Sequence, residues 1–204
     1  RTPLALIDGP ASGRIAVAEA ITNLIAADVA LDRVKLSANW MAPAGHPGED
    51  AVLVDTVRAV SEFCIALGVS IPVGKDSLSM RTAWRDGDRE KSVTAPVSLI
   101  VSAFAPVADV RRTATPLVAR ASGNVLVWLQ AMPGARRLGA SALAQVFGQL
   151  GDEAPDVTPQ ASGYSAAMTN FGYTLMTEQS GPRDLVRYAV AAEEVGFDFE
   201  VSSD

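Results

Sequence analysis

The sequence predicts an α/β protein with strands and helices in two layers, and three observations carry that reading. Short β-branched or apolar runs at 34–40 and 69–73 end in turn signals, as strands do. Between them lie stretches whose apolar residues recur at helical spacing. Further on, Asp86-Gly87 sits between two alternating runs and marks a hairpin. Strand pairing is therefore expected to be mostly antiparallel after Lys75.

In chain order, Leu4-Ala-Leu-Ile7 is short and apolar, and Asp8-Gly-Pro-Ala-Ser12 follows. Ser12 is expected to cap a helix that runs to about Ala27, with Val17, Ile21, Leu24 and Ile25 on one face. Glu19 and Asn23 are four residues apart and share a face. A carboxylate and an amide oxygen so placed suit Mg²⁺, which takes oxygen ligands. From spacing alone, a solvated polar face is the plainer reading.

Val34 to Trp40 reads as a strand with Asn39 at its end, where ligands gather in α/β folds. A loop rich in Ala, Pro and Gly follows, and its lone His46 reads as a solvent-facing or backbone-bonded residue and not a catalyst. Glu49 and Asp50 open the next helix, where negative charge suits the dipole. Its expected stripe is Leu53, Val57, Val60, Cys64 and Leu67, closed by Gly68. Cys64 on that stripe is expected to be a small core residue.

The strand carrying Val69, Ile71 and Val73 is expected to end in Gly74-Lys75-Asp76-Ser77. Glycine permits close backbone approach, while lysine supplies a point charge and serine a hydroxyl. The four residues fit a phosphate seat, or an exposed turn. They are not a P-loop, because Val69 stands where the earlier glycine belongs and Asp76 follows the lysine. Leu78 to Trp84 and Val93 to Val107 are expected to pair across a charged tip at 85–91. Residues 111–116 read as a linker, 124–129 as a strand and 138–150 as a helix bearing Leu143, Val146, Phe147 and Leu150.

Composition excludes several classes. Net charge is −6 with no basic run, so nucleic acid is not an expected partner. One cysteine and one histidine leave no Cys-based zinc site and no disulfide framework. No apolar run approaches the ~20 residues that cross a membrane, and no signal-peptide pattern opens the chain. No membrane association and a cytoplasmic setting are expected.

The run Lys35-Leu-Ser-Ala-Asn-Trp-Met41, then Gly45-His-Pro-Gly-Glu-Asp50, then Pro72-Val-Gly-Lys-Asp-Ser-Leu-Ser-Met80, resembles phosphoribosylformylglycinamidine synthase, in its large single-chain form. The resemblance starts near Leu4 and runs through Glu19-Ala-Ile-Thr-Asn23 and Ser98 to Phe104, fading near Val157. It implies a PurM-like nucleotide-binding domain over 1–115 and the start of a second α/β domain over 120–157. It further implies ATP and Mg²⁺ as cofactors and formylglycinamide ribonucleotide as substrate. The reaction implied is phosphorylation of the substrate's amide oxygen by ATP, followed by displacement of phosphate by glutamine-derived ammonia. On this resemblance Glu19 and Asn23 fall on magnesium ligands, Gly74 on close nucleotide approach, and Lys75, Ser77 and Asn39 on substrate-binding positions. The ammonia would come from the family's glutaminase domain, which nothing in this chain matches.

The tail reads differently. Residues 158–170 are expected to be a linker. Phe171 to Met176, a helix opened by Pro182, and Phe197 to Val201 make one β-α-β unit. That unit resembles the start of a luciferase-like, deazaflavin-dependent oxidoreductase, a (β/α)₈ barrel that one such unit cannot close. Two rival readings follow: a catalytically inert fragment or fusion product, and a deazaflavin-dependent oxidoreductase.

Overall fold

A computed structural model describes residues 2–115, 137–157, 174–176 and 201–203. Its centre is a three-stranded sheet in the order β2-β1-β5. Strand β1 (Lys35–Met41) runs parallel to β2 (Ser70–Ser77) and antiparallel to β5 (Ser98–Phe104). Helices α1 (Gly9–Leu24) and α2 (Glu49–Leu67) cover one face. One cluster joins Ala16, Val17 and Ile21 of α1 with Val60, Phe63 and Cys64 of α2 and Leu36, Ala38 and Leu99 of the sheet. The two-layer α/β fold expected from the sequence is present.

Several local expectations need correction. Helix α1 starts three residues before Ser12. Asp8 is the cap, its Oδ1 accepting from the Ala11 N–H at 2.8 Å, and Pro10 suits the first turn because it has no N–H to satisfy. Ser12 is buried inside the helix. The α2 stripe is rotated from the expected one: Thr56, Ala59, Val60, Phe63 and Cys64 are buried, and Val57 is exposed. The cause lies on α1, where Gly9 and Gly13 leave a groove. A Cβ on Gly13 would meet the Val60 and Thr56 methyls at 2.7 and 2.8 Å. The smallest surface on α1 therefore draws in the 56/60 side of α2. Gly68 closes α2 with φ 70°, as expected.

Gly74 to Ser77 is not a turn after the strand. It is the second half of β2, paired in register with Ala38 to Met41. Asn39 correspondingly lies inside β1 and not at its end. Ahead of this stretch the register slips: Lys35 faces Ser70, but Ser37 faces Val73. Pro72 falls in that bulge, where a missing N–H costs no ladder bond.

The expected long strand over 93–107 is two strands. β4 (Arg89–Thr94) pairs with β3 (Arg81–Asp86), and β5 joins β1 instead. Pro96 divides them, since proline cannot donate to a ladder. The hairpin turns at Gly87, with φ 61° at the first central position. Its residues are exposed throughout, whereas Val97, Ser98 and Leu99 are buried.

The expected linker is pinned to the end of α1. The N–H groups of Ala108 and Ala114 donate to the Asp28 and Ala26 carbonyls, and Arg112 pairs with Asp28 at 2.8 Å. The helix expected over 138–150 is shorter, α3 (Ala142–Val146). Ser141 caps it, accepting from the Ala144 N–H, and Gly148 with φ 62° ends it. Val146 and Phe147 of its expected apolar stripe are exposed. Among the described residues, β6 (Thr174–Met176) and β7 (Val201–Ser203) pair parallel in a sheet of their own. Parallel pairing is what a β-α-β unit requires. The helix opened by Pro182 and the strand over 124–129 fall outside the described residues.

Candidate functional site

Register and alternation build the site. Side chains alternate across a strand, and Leu36 and Ala38 point into the helix layer. Ser37, Asn39 and Met41 therefore belong to the opposite face. Their partners on β2 are Val73, Lys75 and Ser77, and the partner of Asn39 on β5 is Ile100. Three of the residues singled out in the sequence, Asn39, Lys75 and Ser77, thus meet on the sheet face away from the helices.

Their chemistry is specific. The Lys75 ammonium donates to Ser77 Oγ at 2.7 Å and lies 3.5 Å from the Asp76 carbonyl oxygen. It is exposed and carries no carboxylate partner among the described residues, so its charge is available to an anion. Beside it, Asn39 Oδ1 is buried with no hydrogen-bond partner among the described residues. A buried acceptor left unmade costs about 1–3 kcal/mol. The face offers a cation for negative charge and, one strand over, an acceptor for an N–H or O–H.

Gly74 has a structural duty of its own. A Cβ there would come within 2.6 Å of the Ala38 carbonyl oxygen, so the glycine lets β2 lie close against β1. An open groove of about 420 Å³ follows β2, lined by Trp40, Ile71, Pro72, Gly74, Lys75 and Asp76 among others.

Glu19 and Asn23 are placed elsewhere. Both are on α1, in the helix layer, across the sheet from Lys75. Glu19 is buried and Asn23 exposed. The solvated-face reading does not hold for Glu19. The pair supplies hard oxygen donors, which fit Mg²⁺ and not a thiolate-seeking metal. No group of three His, Cys, Asp or Glu residues that could hold a metal occurs among the described residues. Mg²⁺ is commonly held by one or two protein groups with phosphate and water completing its shell, so a pair fits this ion.

Cys64 is buried, and desolvation pushes its thiol from the ordinary 9.0 to about 11. A thiol held neutral is no nucleophile at neutral pH, in keeping with a core role. No helix among the described residues is long and apolar enough to cross a membrane.

A family model described as the FGAR-AT PurM_N-like domain matches residues 1–106, more than half of the 204-residue chain. The chain belongs to the FGAR-AT PurM_N-like domain family. The matched span takes in α1, α2, the three-stranded sheet and the β3–β4 hairpin, and with them Glu19, Asn23, Asn39, Gly74, Lys75 and Ser77. Membership in this FGAR-AT-related family connects the chain, at family level, with purine biosynthesis and with an enzyme of the ATP-dependent ligase type.

What the sequence does not show is the common face of Asn39, Lys75 and Ser77. Had 74–77 been read as strand, period-two alternation would have put Lys75 and Ser77 on one side and Asp76 on the other.

Proposed function

We propose that this chain supplies nucleotide- and substrate-holding groups of phosphoribosylformylglycinamidine synthase, the ATP-dependent ligase that converts formylglycinamide ribonucleotide to the amidine with glutamine-derived ammonia. The observation that carries the reading is the shared face of Asn39, Lys75 and Ser77 within a domain of this family.

In this reading ATP gives its terminal phosphoryl group to the substrate's amide oxygen. Ammonia then adds at the activated carbon, and phosphate leaves with the oxygen. Both steps build negative charge on phosphoryl oxygens, which fixed cationic and N–H groups stabilise. Lys75 holds such an oxygen, with its ammonium aimed by Ser77. The Asn39 acceptor, unpaired among the described residues, takes an N–H or hydroxyl of the substrate and fixes its orientation. Glu19 and Asn23 would hold Mg²⁺, which neutralises phosphate charge when bound. Because the sheet separates that pair from Lys75, the two clusters serve different ligand groups, and the glutaminase step belongs to another domain.

The test is turnover. The protein is mixed with ATP, Mg²⁺, formylglycinamide ribonucleotide and ammonia, and ADP release is followed. Substrate-dependent ADP formation that falls in Lys75→Ala supports an enzyme. Its absence, alongside binding of neither ADP nor substrate, favours an inert fragment.

A further inference from the structure

Strand β2 is an outer strand of the three-stranded sheet. Its Gly74 and Asp76 are the register partners of Ala38 and Trp40 on β1, and register partners share a face. Ala38 lies in the core beneath the helices, and Trp40 packs against both apolar clusters. Gly74 and Asp76 therefore belong to the helix-layer face, opposite Lys75, yet both are exposed. The groove of about 420 Å³ lies along this uncovered stretch, with Ile71 and Pro72 at its far end. Its floor is flat, because Gly74 has no side chain and Ala38 only a methyl. Asp76 stands two residues beyond Gly74, roughly 6.6 Å along the strand at 3.3 Å per residue. The Trp40 backbone is one strand away, about 4.8 Å across the ladder. The Asp76 carboxylate has no cationic partner among the described residues. The adjacent Lys75 turns its ammonium to Ser77 instead.

We propose that this groove binds a small planar cation, a guanidinium or amidinium, against Trp40 and Asp76. Such a group has a flat face that stacks on an indole and an edge of paired N–H donors that matches both oxygens of a carboxylate. An ammonium has the charge without the flat face, and a urea has the flat face without the charge. The net charge of −6 favours approach of a cation over an anion. An exposed ion pair alone is weak, so the aromatic wall and the flat floor must share in binding. A small molecule fits better than a peptide strand. The groove is of the size that small ligands fill, whereas Pro72 and the bulge beside it blunt β2 against pairing with an added strand. The site does not depend on the ligase reading, because it lies across the sheet from the Lys75 ammonium and uses neither Glu19 nor Asn23.

Titration of the full chain followed by amide and indole N–H chemical shifts tests the site. The probe is agmatine, compared with cadaverine, which replaces the guanidinium by an ammonium, and 4-aminobutylurea, which keeps the plane and drops that charge. Agmatine should shift the Trp40 indole N–H and the Gly74 and Asp76 amides saturably, and both analogues should bind at least fivefold more weakly. Asp76→Asn changes an exposed side chain without disturbing the core and should weaken agmatine at least fivefold. Trp40→Phe, which keeps a smaller ring, should weaken it by less, with the fold checked by circular dichroism. Shifts that do not saturate, or an affinity unchanged in Asp76→Asn, overturn the site. Equal affinity for cadaverine overturns the planar cation, leaving attraction by charge alone. An arginine peptide, acetyl-Gly-Arg-Gly-amide, that binds at least tenfold more tightly than agmatine overturns the small-molecule ligand in favour of a protein partner.

Discussion

Asn39 and Lys75 are register partners on adjacent parallel strands, one offering a buried acceptor unpaired among the described residues and the other an exposed ammonium. Lys75 is exposed. Lys75→Ala should therefore change stability by no more than about 0.5 kcal/mol, the usual range for a surface substitution, while weakening binding of phosphate-bearing ligands. Asn39→Leu should be neutral or stabilising, because it removes an unmade acceptor worth about 1–3 kcal/mol, again with a loss of binding. Thermal melts beside ligand titrations check both. A collapse of the melting temperature with affinity retained would assign these residues to the fold.

The α1–α2 contact depends on the absence of a side chain. Gly13→Ala would press a methyl against Val60 and Thr56 at under 3 Å, and overpacking of this kind costs about 1–3 kcal/mol. On the facing helix, Phe63 is fully buried and Val57 is 43% exposed. Phe63→Ala should cost about 3–5 kcal/mol, and Val57→Ala within about 0.5 kcal/mol. Urea denaturation measures all three. A larger loss at Val57 than at Phe63 would mean that α2 turns its 53/57 side, and not its 56/60 side, toward α1.

These residues also show how far the sequence carried. Helix α2 and its Gly68 stop were legible because apolar spacing and a left-handed cap are local signals. Its rotation was not, since it depends on Gly9 and Gly13 of another helix. The Lys75 region read as a turn because Gly, Asp and Ser favour turns; pairing with Ala38 to Met41, a contact distant in sequence, overrides that preference. The identity of Lys75, Ser77 and Asn39 as candidates came from the residues, and their common face only from the register. Glu19 could be placed on a helix from spacing, but its burial depends on how that helix is packed.

Cys64 gives a pH signature. Its thiol is pushed to about 11 by burial, from 9.0, so above pH 9 the unfolded chain loses its proton while the folded chain keeps it. The folded state then binds more protons, and stability falls as pH rises. The contribution is fully present below pH 9 and is lost between pH 9 and 11. Urea midpoints of Cys64→Ala and the natural chain should converge across that window. At neutral pH a thiol reagent should label the protein only after unfolding. Rapid labelling of the folded chain would show an accessible thiolate instead.

Residues 158–204 should not share a core with residues 1–157. Among the described residues, β6 and β7 pair only with each other in a sheet of their own, and a unit of some forty residues is near the limit below which domains rarely fold alone. Val157, by contrast, packs against the main core. Deleting everything after Val157 should leave the stability of the rest within about 1 kcal/mol, the effect of an ordinary point mutation. Limited proteolysis should cut first between Val157 and Asn170. A large loss of stability on truncation would show a shared core.

A nucleotide-holding role for α1 is tested most directly by calorimetric titration of the full chain with ADP, with and without Mg²⁺, in the natural protein and in Glu19→Ala. Saturable binding should require Mg²⁺ and weaken at least tenfold in the variant, with the folded state retained by circular dichroism. Binding that is absent, indifferent to Mg²⁺ or unchanged in Glu19→Ala would contradict that role.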